Sequence, residues 1–315
     1  MAETLLSPGV LARENDQSFL TAQPVQAGAA IIGPTVKGPT VPTIVTTYSE
    51  YQNKFGTTVI SGSDVYTYFT SIAAYNYFQQ GGDSLLVGRV TNGTYTGASS
   101  SIIPTGSGGP TSGLSPFVLE TLSKGTIMNT GTQELSGGAL ATGSADNIRW
   151  EITGTNTAAG TFSLLIRRGD DKTSAKTVLE TWTGLSLDPK ADNYVARVIG
   201  DQTQTIATDG TTTYVQNTGT YPNASKYVRV SAVNFKTPDY FDNNGDAKVA
   251  YTGSLPTAAS GTFAGATGTP FSERTANFYD AIDSTDTQGV TGSDYTTMLN
   301  LLGNKDEYQF NIVSV

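Results

Sequence analysis

The 315-residue chain contains no cysteine and no histidine. Without cysteine there is no disulfide and no thiolate nucleophile, and the redox compartment leaves no mark on the sequence. Without histidine, the one side chain that titrates near neutrality is missing. Serine triads, histidine-bearing zinc sites and most general-base schemes lose their usual member. Chemistry built on paired carboxylates alone stays open. Charge is scarce as well: 14% of residues are charged, 18 basic against 27 acidic, for a formal net charge of −9. Phosphate binding needs clustered Lys and Arg. The only basic pair, Arg167-Arg168, is followed at once by Asp170-Asp171, so nucleic acid is not an expected partner. No apolar run approaches the roughly 18 residues of a membrane span. The N-terminus has no basic stretch followed by an apolar one, so it does not read as a signal peptide.

What fills the chain instead is Gly, Thr, Ser and Asn, with 35 glycines and only 37% hydrophobic residues. That mixture favours strands and turns over long helices. A surface poor in Lys and Glu implies that much of it is covered, as in structural assemblies, although secreted β-proteins share the texture. The length suits two domains and is ample for cores that need no metal or disulfide.

Residues 1–22, MAETLLSPGVLARENDQSFL and the two that follow, read as an extended arm. A Pro8-Gly9 turn is flanked by Leu5, Leu6, Val10 and Leu11, with no helical period. AGAAIIG (27–33), PTIVTT (42–47) and SLLVGRV (84–90) read as strands. Thr47 and Glu50 form a capping-box pattern before a short helix over 48–55, which Gly56 stops. The spacing of Val65, Tyr68, Phe69, Ile72 and Tyr75 predicts a helix over 64–80, with Asp64 as cap and Gly81-Gly82 as stop. Tyr66, Tyr68 and Tyr77 on that helix are candidate interface aromatics, because Tyr is enriched where proteins meet. This strand–helix–helix–strand order points to helices packed on a sheet.

From residue 93 the texture shifts to a Gly/Ser/Thr linker and then to turn-punctuated runs of β-formers: 147–153, 160–168, 176–184 and 211–219. Residues 194–201 are either a short helix or a strand. A strand is expected over 226–235, a helix over 293–303 capped by Ser293 or Asp294, and a buried apolar strand over 308–315. The chain therefore divides into an arm (1–22), the first part of an α/β domain (23–92), a β-rich insert (93–225) and the second part of the α/β domain (226–315). The fold class is mixed, α+β with α/β, and multi-domain.

Few residues carry chemistry. Asp170 and Asp171 with Asp188 and Asp192 are a conceivable metal set but suit turns equally. The stretch DYFDNNGD (239–246) lacks the register and the closing Glu of a calcium loop. GPTVKGP (33–39) lacks the Gly-Lys-Ser/Thr ending of a phosphate loop. Two glycosylation-like triplets, NGT (92–94) and NAS (223–225), occur without a secretory signal. No catalytic, cofactor-binding or metal-binding residue is assigned, and no enzyme is expected.

Three stretches carry a resemblance: LLSPGV (5–10), AAIIGPTVKGPTVPTIVTTYSEYQNKFG (29–56) and YFQQGGDSLLVGRV (77–90). Together they resemble the opening of tail sheath proteins from contractile-tailed bacteriophages. FSLLIRRGDD…KTVLETWTGLSLDPKADNYVARVIGD (162–201) is similar to the middle region of the myovirus-type subfamily. The resemblance covers about 1–90 and 160–235. It implies a non-enzymatic subunit that polymerises helically around a tail tube, with baseplate and tail terminator proteins as further partners. The place it implies is the virion tail, assembled in the host cytoplasm. It casts Leu5, Leu6, Pro8, Gly9, Val10 and Leu11 as an inter-subunit arm that adds a strand to a neighbour's sheet. Sheath proteins of this type continue beyond the point matched by 293–315, and the expected departure of this chain from their pattern is that it lacks that C-terminal region. Two other classes fit the composition: a fibre- or adhesin-like surface-binding β-protein, and a carboxylate-dependent glycan hydrolase, which no pattern in the sequence supports.

Overall fold

The structure, a computed structural model, describes residues 25–61, 64–102, 115–131, 133–269 and 278–315. The first unit comprises strands β1 (Val25–Gly33) and β2 (Thr43–Val45), helix α1 (Tyr48–Phe55), strands β3 (Thr58–Ser61) and β4 (Asp64–Thr67), helix α2 (Phe69–Gln79) and strand β5 (Leu85–Arg89). The second runs through β6 (Gly97–Ser101), β7 (Phe117–Lys124), β8 (Ile148–Asn156), β9 (Thr161–Arg168), β10 (Val178–Ser186), α3 (Val195–Ile199), β11 (Thr203–Asp209), β12 (Thr212–Thr218), β13 (Val228–Val233), α4 (Val249–Thr252) and β14 (Ala259–Gly261). The chain returns to the first unit with α5 (Thr296–Leu302) and β15 (Tyr308–Ser314).

The first unit centres on a sheet of order β15-β1-β5-β2. Strand β1 lies parallel to both β15 and β5, and β2 closes the other edge antiparallel to β5. Ala29 and Ile31 of β1 face a layer with Tyr51, Phe55 and Ala74 from α1 and α2. Ala30 and Ile32 face the opposite layer, with Met298, Leu301 and Leu302 of α5. Burial on both faces explains why AAIIG is continuously apolar and does not alternate.

Helix α1 forms as its sequence predicts. Thr47 Oγ1 accepts from the Glu50 amide at 3.1 Å, and the Gly56 N–H closes on Gln52 O with a φ of 72°. The Glu50 carboxylate reaches back to the Thr46 amide at 2.9 Å.

Helix α2 differs from expectation. It begins at Phe69, and Asp64–Thr67 is a strand paired antiparallel with β3, from Ser61↔Asp64 to Thr58↔Thr67. The stretch VYTY alternates: Tyr66 and Tyr68 point inward while Val65 is exposed, and this period of two suits a pleated strand. The amide that opens α2 finds its acceptor far away in the sequence, with Phe69 N donating to Gln288 Oε1 at 3.2 Å.

Helix α5 is preceded by a 3₁₀ turn over Gly292–Tyr295; Thr291 caps that turn in a capping box with Asp294, and the N-cap position of α5 itself is Tyr295, not Ser293 or Asp294. The Thr291 amide donates to the Asp294 carboxylate at 2.7 Å. Strand β15 is not the buried strand its apolar sequence predicts: Tyr308 is buried, but Ile312 is 67% exposed and Val313 46%.

The second unit shares one core between the sheets β10-β9-β8-β14 and β13-β7-β6, with Trp150, Phe162, Phe117 and Val228 at its centre. Phe117 and Phe162 stack with centroids 5.5 Å apart. Residues 194–201 resolve as helix α3. Strand β13 pairs with β7, and β14 pairs with β8. The stretch over 228–261, expected in the α/β domain, thus contributes its strands to the β-rich unit. Long-range pairing, which composition cannot report, decides this boundary. In the other direction, the β11–β12 hairpin leaves the β-rich unit and packs Ile206 and Val215 against the α5 layer of the first sheet.

Candidate assembly surface

The loop VKGP (36–39) joins the two units. Lys37 is buried, and its ammonium donates to Asp146 O at 2.7 Å beside the Asp146 carboxylate at 3.6 Å. Burial pushes the Lys37 pKa down, and Asp146 offsets part of that shift. Gly38 O accepts from Arg89 Nη1 at 2.7 Å and from the Lys124 amide at 3.1 Å. The same Nη1 donates to Lys124 O at 2.8 Å. Arg89 is 2% exposed and has no carboxylate within 4.0 Å among the described residues. Its guanidinium lies over the Tyr95 ring, 4.8 Å from the centroid. Burial lowers its pKa to about 10. Lys37, Gly38 and Arg89 thus clasp the α/β sheet to the β-rich unit.

The surface most suited to a partner is the β15 side of the sheet. Strand β15 pairs only with β1 among the described residues, so its outer backbone groups face away from the sheet. Ile312, Val313 and Val315 are exposed along it. At the ends of β1 and β15, a groove of about 480 Å³ is lined by Ile31, Phe69, Ala73, Ile282, Leu299 and Val315. Proteins ordinarily blunt such edges with charge, proline or a covering element. An open edge with apolar side chains is instead what strand addition by another chain requires.

Of the residues singled out from sequence, Leu5, Leu6, Pro8, Gly9, Val10 and Leu11 lie outside the described residues. Tyr66 and Tyr68 are buried in the chain's own core, packed on Phe278 with centroids 4.8 and 5.6 Å apart. They belong to a strand and its flank, so the docking face drawn for them does not exist; burial also raises the Tyr68 pKa. Tyr77 is half-buried and donates to Ser84 O at 2.9 Å. The aromatics that α2 leaves exposed are Phe69 and Tyr75, with Tyr279 beside Phe69 at 6.0 Å.

The aspartates separate into unrelated local roles. Asp171 is buried and takes the Arg167 fork at 2.7 and 2.8 Å, with Glu151 on the other side of that guanidinium. Asp188 accepts from the Lys190 and Asp239 amides, and Asp192 pairs with Arg197. Asp242 accepts from the Asn244 and Asp246 amides, which makes 239–246 a turn. Among the described residues no three Asp or Glu side chains converge as a metal set, and no helix is long and apolar enough to cross a membrane.

No family model matches the chain, and no curated protein matches it. Among solved structures, a sheath tail protein from Listeria innocua superposes at a TM-score of 0.42 and 10% identity, covering 93% of this chain and 41% of that one. A sheath tail protein from Desulfitobacterium hafniense gives a TM-score of 0.35 and 11% identity, covering 97% and 45%. The chain thus spans less than half the length of either. At this level neither likeness assigns a function.

Proposed function

We propose that the chain is a structural subunit of a contractile tail sheath, which polymerises around a tail tube and contracts to drive the tube through an envelope. The observation that carries this reading is the open β15 edge with its apolar flank, in a chain whose other end supplies the apolar arm LLSPGVL. Main-chain hydrogen bonds between an arm and a neighbour's sheet keep subunits linked while they rotate. A head-to-tail contact of this kind generates an open helix. The subunit does no covalent chemistry; work comes from repacking between two states. Its partners are copies of itself, the tail tube, and the baseplate and tail terminator proteins, and its place is the virion tail, assembled in the host cytoplasm.

Electron microscopy of the purified chain tests this. Wild type is expected to form helical tubes. A variant lacking residues 1–20 is expected to remain a folded monomer, with Leu5, Leu6, Val10 and Leu11 as the anchors lost. Contractile tubes built by the deletion variant would refute the arm, and discrete particles from the wild type would favour the fibre class.

A further inference from the structure

A cleft of about 280 Å³ opens between the two units, on the β2 side of the sheet. Four of the chain's 18 cationic side chains line it: Lys54, Lys124, Lys226 and Arg229. Three carboxylates stand nearby, and each is committed. Glu50 holds Lys54 at 3.0 Å, and Glu120 holds Arg229 at 2.6 Å. Glu180 accepts from the Lys226 backbone amide at 2.8 Å and from the Ser225 hydroxyl at 2.6 Å. The ammonium groups of Lys124 and Lys226 have no carboxylate within 4.0 Å among the described residues. The Lys124 ammonium donates to the Thr40 hydroxyl at 3.2 Å. Its partial burial leaves it poorly solvated, which lowers its pKa. Glu120 offsets part of that shift without pairing with the ammonium, and in a chain of net charge −9 two cations without a close ion pair in one cleft are an invitation to carboxylates.

The matching carboxylates lie on the other flank. The loop between Phe278 and Val290 exposes Asp280, Asp283 and Asp286, and none of them enters an ion pair within 4.0 Å among the described residues. Hydrogen bonds from Thr285 hold the Asp283 pKa below its ordinary value, so it stays charged. Ala281 and Ile282 of this loop line the groove at the ends of β1 and β15, whereas Thr43 of β2 lines the cleft. Loop and cleft are therefore separate patches, the loop at the ends of β1 and β15 and the cleft beside β2. Two complementary but distinct patches on one molecule make a head-to-tail contact when copies associate through them, which repeats without closing unless its rotation happens to form a ring.

We propose that the Lys124/Lys226 cleft of one copy receives the Asp280–Asp286 loop of a second copy. This side-to-side contact is additional to the arm and rests on the same premise, that copies of this chain pack head-to-tail. The contact is electrostatic, so it is strongest at low ionic strength and weakens as the Debye length shortens.

The test uses a fluorescent peptide of residues 278–288 and the full chain, read by anisotropy at low and high salt. The peptide is expected to bind at low salt and to be released by added salt. Lys226→Glu, at an exposed position, is expected to weaken binding by about tenfold or more. Lys124→Met keeps the packed stem and removes the charge, and is expected to weaken it several-fold. Circular dichroism melts establish that both variants fold. Equal binding to wild type and both variants, or equal binding of a peptide with all three Asp replaced by Asn, overturns the proposal. Tubes that form although the peptide does not bind would leave the sheath reading standing and sink this contact. Peptide binding by a chain that forms no tubes would support the cleft and count against the sheath.

Discussion

Arg89 is the residue on which the two units depend most directly, because one guanidinium nitrogen serves the carbonyls of both Gly38 and Lys124. Arg89→Ala leaves those carbonyls short of a donor and opens a cavity beside Tyr95. The expected loss is about 2–4 kcal/mol, read as a lower urea midpoint at unchanged slope. Gly38 itself sits at a φ of 125°, and a β-carbon there would stand 2.6 Å from Phe55 Cδ1. Gly38→Ala meets both backbone strain and a packed ring, and is expected to cost about 2 kcal/mol or more. Gly81→Ala is the control: its φ is also positive, at 87°, but nothing lies within 4 Å of the added carbon. It is expected to cost about 1 kcal/mol, so equal losses at the two positions would show that Phe55 is not the obstacle.

At the scale of elements, what the sequence reveals is what local chemistry controls. The cap and stop of α1 are written in Thr47 and Gly56, and Thr47→Ala is expected to cost about 1 kcal/mol, measurable by thermal unfolding. Strands β1, β5, β8 and β9 are legible because their β-rich runs end at turn residues. The start of α2 is not legible, because Asp64 offers a persuasive cap while the acceptor of the Phe69 amide, Gln288, lies 219 residues beyond Phe69. The alternation in VYTY competes with a helical period that continues into FTSIAAY, and strand pairing with β3 decides between them. The assignment of 228–233 to the β-rich unit depends on β7, about a hundred residues earlier, for the same reason. The candidate surface is only partly legible: an apolar strand over 308–315 is evident, but its position at an open edge follows from sheet order alone.

For the whole molecule, buried tyrosines couple stability to alkaline pH. Burial pushes Tyr295 up to about 12 and raises Tyr51 and Tyr68 further. An unfolded tyrosine titrates near 10, so the folded chain keeps protons that the unfolded chain has lost. The contribution is complete below about pH 10 and disappears as pH rises through about 12. Relative to Tyr295→Phe, the wild type is therefore expected to lose stability across that window, in melts recorded at stepped pH. Lys37 and Lys124, both lowered by burial, act in the opposite sense, which is why the comparison with the variant is the informative one. One last consequence concerns force. Strands β1 and β15 lie side by side and parallel, from Val25↔Tyr308 to Ile31↔Ser314. A pull on the chain before Val25 and an opposing pull after Ser314 therefore act at opposite ends of the shared ladder. Every hydrogen bond between the two strands is then loaded at once in shear; none can be peeled open singly. A chain held before β1 at one end and beyond β15 at the other would carry tension as shear along this ladder.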